Sequence, residues 1–345
     1  MLKVDLLSLT KEELIKFMED LGEKKFRAIQ IFQWLHKGIN SFDEMTNLSK
    51  NLRQKLEEMA YISQVRIENK LVSKLDGTTK YLFLLEDGHI IEGVVMSYKH
   101  GNTACISSQV GCAMGCSFCA STIKGLERNL KAGELIAQIL MMEKDFGARI
   151  SNIVLMGSGE PLHNYKEVTN FLRIVNDEDG LNIGNRHITL STCGLVPEIK
   201  DLADLRIPIN LAISLHAPND EIRKRLMPIA KRYTIDELIE SCHYYLQKNN
   251  RRITFEYALI RGVNDGEEEA YQLSKLLKGL LCHVNLIPVN PVDEREYRKS
   301  QQHQVKIFES VLKKYGIEVT VRREMGADIN AACGQLRNKH LESRK

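Results

Sequence analysis

The chain has 345 residues, of which 43% are hydrophobic and 27% are charged, as in an ordinary globular protein with one large domain and a smaller one. The formal net charge of +3 is mildly basic, so it permits an RNA partner without requiring one. There is no run of about 18 apolar residues and no apolar leader, so we expect neither a membrane span nor a signal peptide, and we expect a cytoplasmic protein.

Residues 1–60 are predicted to form a small helical accessory domain. The run from Thr10 to Glu13 fits a capping box at the start of a helix, which ends near Gly22. Two more helices follow from the spacing of apolar residues around Trp34 and Leu52. This domain is either a bundle with a solvated charged face or a module that binds RNA or another large substrate, and the residues alone favour neither.

Residues 61–100 have a different character and are predicted to form a β-hairpin linker region. Two strands are expected at 81–85 and 89–96, with turns at Asp76-Gly77 and Asp87-Gly88. This region leads into a catalytic domain that we assign to residues 101–345.

The rest of the chain alternates between short β-rich runs and helical stretches. The predicted strands are 104–108, 152–156, 187–191, 211–215, 253–259, 282–287 and 317–322. Helices are expected between them, for example at 132–146, 234–248, 264–278 and 301–315. Repeated βα units indicate an α/β fold with a parallel sheet and outer helices, and about six units predict a partial barrel.

Three of the eight cysteines lie in one short loop after the first of these strands. Cys112, Cys116 and Cys119 have the spacing Cys-x-x-x-Cys-x-x-Cys, with no nearby fourth cysteine. A [4Fe–4S] cluster normally takes four cysteines, so three leave one iron open to a small molecule. Structural zinc instead needs a closed set of four ligands. The spacing therefore indicates radical S-adenosylmethionine (SAM) chemistry.

Polar motifs follow the ends of successive predicted strands, where the catalytic groups of parallel barrels collect. They comprise Gly159, Glu160, Ser191, Ser214, Leu215, His216 and Asn290. Each has an ordinary alternative: a simple loop at Glu160, a helix cap at Ser191, a structural hydrogen bond at His216, a turn at Asn290. Five motifs at successive strand ends nevertheless favour one shared site, in which Glu160 holds the ammonium group of SAM.

Two further cysteines form a possible working pair. Cys105 precedes the cysteine loop by seven residues, and Cys333 lies in a Gly- and Ala-rich segment near the C-terminus. They are either two buried thiols or a nucleophile and its resolving partner. Cys193, Cys242 and Cys282 have no partner at ligand spacing and are interpreted as small buried residues.

Five longer runs connect these motifs over most of the chain. They are Cys105–Ala120, Gly157–Leu162, Ser191–Gly194, Ser214–Pro218 and Ala331–Leu336. Together with the helical N-terminal segment, they resemble the RlmN family of bacterial dual-specificity RNA adenine C2-methyltransferases. Ser158 departs from that family, which usually has Met there, but the change removes no ligand.

The resemblance implies a radical SAM partial (β/α)6 barrel and a set of roles. Cys112, Cys116 and Cys119 would hold one [4Fe–4S] cluster, and SAM, used twice per turnover, would be bound by the strand-end residues above. Cys333 would be the methyl-accepting nucleophile, Cys105 its resolving partner and Glu92 the proton acceptor. On the residues alone, Glu92 would pass as a surface carboxylate at a strand end.

The implied substrates are an adenosine in the peptidyl-transferase centre of 23S rRNA and the adenosine 3′ to the anticodon in certain tRNAs. Adenine C2 is electron-poor and the SAM methyl group is electrophilic, so a radical route through an S-methylcysteine and a transient disulfide avoids pairing two electrophiles. It requires a flavodoxin- or ferredoxin-like electron donor, and we expect a monomer. Lysine and arginine side chains near the site either contact phosphates or form solvated surface charge: Lys124, Arg128, Arg322, Arg323 and Arg337.

Three other functions compete with this one. The related adenine C8-methyltransferases of 23S rRNA, which confer antibiotic resistance, share the cluster and both extra cysteines. The runs 159–162 and 109–112 favour the C2 enzymes, because the resistance enzymes tend to differ there. A non-catalytic iron–sulfur or zinc RNA-binding module is tested by metal analysis: about four irons and sulfides per chain support the enzyme, and one zinc does not. A radical SAM enzyme acting on protein or small molecules would leave Cys105 and Cys333 unexplained.

Overall fold

A computed structural model of the chain describes residues 3–290, 292 and 295–331. The strands are β1 (Val4–Asp5), β2 (Ala60–Tyr61), β3 (Val65–Val72), β4 (Thr79–Leu85), β5 (Ile90–Tyr98), β6 (Gly101–Cys105), β7 (Gln109–Gly111), β8 (Leu126–Asn129), β9 (Ile150–Leu155), β10 (Ile188–Thr192), β11 (Asn210–Ser214), β12 (Ile253–Leu259), β13 (Cys282–Pro288) and β14 (Glu318–Val321). The α-helices are α1 (Lys11–Asp20), α2 (Lys25–Leu35), α3 (Lys50–Met59), α4 (Ala132–Phe146), α5 (Tyr165–Asn176), α6 (Val196–Asp204), α7 (Asp220–Leu226), α8 (Ile235–Asn249), α9 (Glu267–Leu276) and α10 (Gln302–Lys314).

The N-terminal region contains the three predicted helices, α1 to α3. The capping box forms as expected: the Thr10 hydroxyl accepts a hydrogen bond from the Glu13 amide, and the Glu13 carboxylate accepts one from the Thr10 amide. The apolar faces of these helices, including Leu14 and Phe32, lie in the same hydrophobic core as the barrel helices. The helical bundle is therefore packed onto the rest of the molecule.

Polar contacts fix the position of this bundle on the barrel. The Ser8 hydroxyl accepts from the amide of Gly133 at the start of α4 (2.8 Å), and it donates to the carboxylate of Asp5. The Lys11 ammonium lies 2.8 Å from Asp177 and 2.9 Å from Asp179, beyond the end of α5. These half-buried ion pairs raise the pKa of Lys11, so the lysine stays charged.

Ten strands form one mixed sheet, in the order β14-β13-β12-β11-β10-β9-β6-β5-β4-β3. The first seven in that order are parallel, and six helix-containing crossovers connect them along the chain. The predicted α/β fold with a partial barrel is therefore confirmed. Within the described residues, no helix is both long and apolar enough to cross a membrane.

The predicted hairpin continues the barrel sheet instead of standing apart from it. Strands β3, β4 and β5 pair antiparallel with one another, and β5 pairs antiparallel with β6. This join brings Val94 of β5 opposite Cys105 of β6. The domain boundaries at residues 60 and 100 remain predictions.

The first barrel strand was expected at 104–108 and was wrong by about three residues. Strand β6 ends at Cys105 because the chain then leaves the sheet. The Ser107 amide donates to the Gln138 side chain (3.0 Å), and its hydroxyl donates to the Glu92 carbonyl (2.6 Å). At Ser107 these two hydrogen bonds take the place of the backbone hydrogen bonds of the sheet, and the chain turns toward the cysteine loop.

Candidate active site

A large cavity lies at the carboxyl ends of the parallel strands and is named here the strand-end cavity. Its volume is about 960 Å³, part of it open to solvent. It is lined by Cys112, Met114, Cys116, Phe118, Cys119, Thr122, Leu155, Met156, Gly157, Gly159, Glu160, Ser191, Thr192, Cys193, Ser214, His216, Met227, Glu256, Ala258, Ile287, Val289, Asn290 and Arg322. The cysteine loop and six strand ends thus meet around one space.

A small antiparallel pair, β7 with β8, closes the base of the cysteine loop. Gly111 has a φ of +74° and lies against the backbone of Gly125, where any side chain would collide with the carbonyl oxygen. The Cys112 amide donates to the same carbonyl (2.8 Å). The Thr122 hydroxyl donates to the carbonyls of Cys116 (3.1 Å) and Cys119 (3.0 Å), so the loop backbone is fixed by its own contacts.

The three thiols of the loop face one space, since all three line the strand-end cavity. Cysteine thiolates are the ligands that iron–sulfur clusters take. In the described part of the chain, no three His, Cys, Asp or Glu side chains are grouped closely enough to hold one metal ion. Burial raises the pKa of Cys112 to about 12 and also raises the pKa of Cys116. Coordination to iron would counter this, because a metal-bound thiol is deprotonated.

Glu160 lines the strand-end cavity and is held in place by several contacts. Gly159 has a φ of +105°, and a Cβ there would lie 2.6 Å from the side chain of Gln109. The Gln109 side chain in turn accepts a hydrogen bond from the Glu160 amide (2.8 Å). The Glu160 carboxylate accepts from the amides of Leu162 (2.9 Å) and Cys193 (2.7 Å). Burial raises the pKa of Glu160, although these hydrogen bonds oppose the rise.

Ser191, Ser214 and His216 meet at the ends of β10 and β11. The two serine hydroxyls lie 3.3 Å apart. His216 adopts a φ of +57°, and its Nδ1 accepts from the Ala258 amide (2.9 Å), so its proton is on Nε2. Burial lowers the pKa of His216 to about 3, which makes the ring a neutral donor. Leu215, between them, has its side chain in the hydrophobic core.

A second cavity, named here the Cys105 cavity, adjoins the first. Its volume is about 750 Å³, and Cys105 lies in its wall. Four side chains line both cavities: Met156, Ile287, Asn290 and Arg322. The two cavities therefore share part of one wall.

Glu92 lies near the Cys105 cavity as one half of a buried ion pair. It is on the same face of β5 as Val94 and Met96, both of which line that cavity. Its carboxylate lies 3.1 Å from the ammonium of Lys80, which also donates to the carbonyl of Asn330 (3.2 Å). Lys80 thus connects the carboxylate to the segment that leads toward Cys333.

The turn between β3 and β4 holds that segment through further contacts, which we call the clasp. The carboxylate of Asp328 accepts from the Ser73 hydroxyl (2.6 Å) and the Lys74 amide (2.9 Å). The Gly326 amide donates to Asp76 (3.0 Å). Ala331, the last described residue, lines the Cys105 cavity. Cys333 and Arg337 lie outside the described residues, so their predicted roles stay predictions.

The sequence did not point to every residue of the site. Glu256 is buried on β12, faces the strand-end cavity and accepts from the Asn285 amide group (3.0 Å). A charged residue inside an otherwise apolar strand was the available signal. Cys193, interpreted as a structural residue, also lines this cavity. Arg128 lies against Asp87 and 2.7 Å from Glu134, so it is already paired with carboxylates.

The departure at Ser158 leaves the site intact. The Ser158 hydroxyl lies 3.3 Å from that of Ser121, just after the cysteine loop. Its amide donates to Ser107 and its carbonyl accepts from Ser108, contacts that do not depend on the side chain of residue 158.

This fold, with three loop cysteines facing a strand-end cavity, is that of a radical SAM enzyme, and residues 106–274 match the model of the Radical SAM superfamily. Residues 4–62 match a second model, the ribosomal RNA large subunit methyltransferase N-terminal domain. A solved structure, that of a radical SAM methyltransferase from Sphaerobacter thermophilus, is similar with a TM-score of 0.92 and 44% identity, covering 97% of this chain and 99% of that one.

Full-length relatives are more similar still. The "Probable dual-specificity RNA methyltransferase RlmN" of Alkaliphilus oremlandii is 70% identical over 341 residues, which are 99% of both chains. A protein of the same description from Clostridium novyi is 57% identical over 340 residues, covering 98% of this chain and 99% of its own length. The chain therefore belongs to the RlmN family of radical SAM RNA methyltransferases, as its motifs predicted. The superfamily implies a [4Fe–4S] cluster and SAM.

Proposed function

We propose that the chain methylates C2 of adenosine in two RNAs: 23S rRNA at the peptidyl-transferase centre, and certain tRNAs at the adenosine 3′ to the anticodon. The observation that supports this most is the pair of adjoining cavities, one lined by three cysteines and the other by Cys105. Such an arrangement suits a reaction in which a cofactor and a protein thiol act on the same base.

Cys112, Cys116 and Cys119 would hold the cluster in this proposal. When bound, the cluster and SAM supply a 5′-deoxyadenosyl radical, for which one electron comes from an external flavodoxin- or ferredoxin-like donor. The apolar and aromatic side chains beside the loop, Met114 and Phe118, would exclude water from this part of the cavity.

The strand-end residues would bind SAM. The fixed carboxylate of Glu160 suits the ammonium group, and Gly159 beside it lines the same cavity. The hydroxyls of Ser191 and Ser214 and the Nε2 of His216 would donate to polar atoms of the cofactor, with Asn290 on the shared wall. The backbone of Leu215 would set the spacing between Ser214 and His216.

The thiol chemistry would take place in the Cys105 cavity. The Cys333 thiolate attacks the methyl group of one SAM, forming an S–CH3 bond and releasing S-adenosylhomocysteine. With a second SAM consumed, the S-methyl group loses a hydrogen atom and its carbon bonds to C2 of the flipped-out adenine. Unstacking that base costs a few kcal/mol. The Glu92 carboxylate, 3.1 Å from the Lys80 ammonium, would take the C2 proton.

Release would depend on Cys105. Its thiolate attacks the sulfur of Cys333, the S–S bond forms, the C–S bond to the RNA adduct breaks, and the freed carbon takes up a proton to become the methyl group. The unpaired electron left on the adduct by the radical addition returns to the oxidised electron carrier. An external reductant then reopens the disulfide. We propose that the protein carries out this cycle as a monomer.

Nucleoside mass spectrometry tests the proposal directly. Anaerobically reconstituted protein is incubated with SAM, a reductant and an unmodified 23S rRNA fragment or tRNA, with a Cys116→Ala protein as the control. We expect 2-methyladenosine in both RNAs from the wild type alone. 8-Methyladenosine would instead assign the chain to C8 chemistry, and SAM cleavage without any methylated adenosine would contradict the RNA substrates.

A further inference from the structure

Arg223, in the short helix α7, is a fully buried charged residue that the proposed mechanism leaves unused. Its side chain has 0% solvent exposure and is the largest of the fully buried side chains. An arginine remains protonated in proteins, and an uncompensated buried charge is very unfavourable. The chain must therefore supply this guanidinium group with partners.

Two of its three nitrogens have partners on the backbone. Nε donates to the carbonyl of Leu215 (3.3 Å), and Nη2 donates to that of Cys193 (2.6 Å). Nη1 is buried and has no hydrogen-bond partner among the described residues. Through these bonds Arg223 joins the ends of β10 and β11, but the two carbonyls carry no net charge and Nη1 is left without an acceptor.

The helix that carries this donor lies against the cysteine loop: the carbonyl of Leu226 accepts from the amide (2.9 Å) and the hydroxyl (3.2 Å) of Ser117, the residue after Cys116. The ionisable groups that interact with Arg223 are Cys193, Cys116, Asp220 and Cys242. The Asp220 carboxylate is half-buried and already accepts from the amide of Ile235 (3.0 Å). Otherwise the space is apolar: Cys116 and Cys193 belong to a hydrophobic cluster of Ala217, Ile222, Leu226, Met227, Ile260 and Val289. In such a medium a charge acts over several ångströms.

We infer that Arg223 sets the reduction potential of the cluster: its Nη1 group donates toward the sulfur atoms on the Cys116 side, and its positive charge offsets the net negative charge of a thiolate-bound cluster. Hydrogen bonds to sulfur and local charge both govern iron–sulfur potentials. A cation close to the cluster favours the reduced form, which is one charge more negative. Arg223 is thus a positioning and tuning residue, and this role rests on the proposed cluster at Cys112, Cys116 and Cys119.

Redox titration of three variants tests the inference. Wild type, Arg223→Met, Arg223→Lys and Arg225→Met are reconstituted anaerobically, and iron and sulfide per chain are measured first. Arg225 is exposed on the same helix, so its loss removes a charge without removing a buried one. The midpoint potential is then followed by the electron paramagnetic resonance signal of the reduced cluster, without SAM or RNA.

We expect Arg223→Met to make reduction less favourable by at least tenfold, or about 59 mV for a one-electron couple. Arg223→Lys should lie close to wild type, and Arg225→Met should match it. An Arg223→Met protein with full cluster content and an unchanged potential would overturn the inference. Failure of the wild type to bind iron would overturn the proposed cluster instead, so the two outcomes are distinct.

A second measurement does not depend on the folding of Arg223→Met. Wild-type protein is labelled with nitrogen-15 arginine, and its reduced cluster is examined by pulsed electron paramagnetic resonance. We expect a nitrogen-15 coupling that persists in Arg225→Met and is lost in Arg223→Lys. Absence of any coupling in the wild type, or its persistence in Arg223→Lys, would overturn the contact.

Discussion

The two adjoining cavities differ in what holds their walls in place. The strand-end cavity is fixed mainly by hydrogen bonds to the backbone, such as those from the amides of Leu162 and Cys193 to Glu160. The Cys105 cavity depends instead on the Lys80 side chain, which pairs with Glu92 on the neighbouring strand and donates to the carbonyl of Asn330 in a distant segment. The strand-end cavity is thus the more firmly held of the two, whereas the Cys105 cavity adjoins a segment that is held by a few side-chain hydrogen bonds.

The largest effect should come from a substitution in the strand-end cavity. Replacing Cys116 by Ala removes one of three cluster ligands, so we expect iron content to fall from about four per chain to nearly none and methylation to be lost. Iron and sulfide assays with the visible absorption spectrum measure this. Cys282→Ala, at the opposite end of β13 and buried, is the matched control. Full iron content in Cys116→Ala would show that the loop is not the cluster site.

Cys105→Ala tests the Cys105 cavity at a later step of the reaction, the release of the product. Without the resolving thiol, the cavity can still accept the base, so a covalent protein–RNA adduct should accumulate while free methylated RNA falls to background. Denaturing gels and mass spectrometry detect the adduct. Cys242→Ala, a buried cysteine in α8, should turn over normally. Normal release of product by Cys105→Ala would remove Cys105 from the mechanism.

The buried ion pair predicts a stability effect as well as a kinetic one. Lys80→Met removes the ammonium group from this buried pair, and breaking a buried pair from one side costs about 3–5 kcal/mol. Chemical denaturation measures the change, and Lys80→Arg is the charge-preserving control. The double variant Lys80→Met/Glu92→Gln should recover part of the loss. Strictly additive losses would mean that the two side chains are not coupled.

The smallest effect should come from the clasp. Burial pushes the pKa of Asp76 upward, but hydrogen bonds from the Gly326 amide and from Thr78 outweigh it and lower the pKa to about 2. Because this pKa lies below its usual value near 4, the stabilisation is present above about pH 4 and is lost as the pH falls toward 2.

At neutral pH, Asp76→Ala should therefore speed hydrogen exchange at the Gly326 amide without changing global stability much. Asp76→Asn keeps an acceptor oxygen and should have a weaker effect. Hydrogen-exchange mass spectrometry on the peptide that contains Gly326 gives the rate. An unchanged rate in Asp76→Ala would mean that the clasp does not protect this segment.

The same contrast explains what could be predicted from the sequence. Local patterns fixed the helix at 132–146, which the structure reproduces as Ala132–Phe146, and the capping box at Thr10. The strand-end residues were found because parallel strands bring their carboxyl ends together whatever the exact register. The cysteine loop was recognisable because its spacing is local.

Long-range side-chain pairs were not predictable in this way. Nothing in the local sequence indicates that Lys80 meets Glu92, since the two residues lie on neighbouring antiparallel strands and meet diagonally. Arg223 is similar: it is fully buried, and its Nε donates to the carbonyl of Leu215 just after β11. Such contacts depend on the register of whole strands, which patterns of single residues do not determine.

The shared wall also makes the enzyme a starting point for transferring groups other than methyl. Met156 is half-buried, flexible and common to both cavities. Met156→Ala would widen the connection between the two cavities and make space for a SAM analogue that carries an ethyl or allyl group. The substituted adenosine recovered from RNA would report whether a single side chain limits the size of the group that this site delivers.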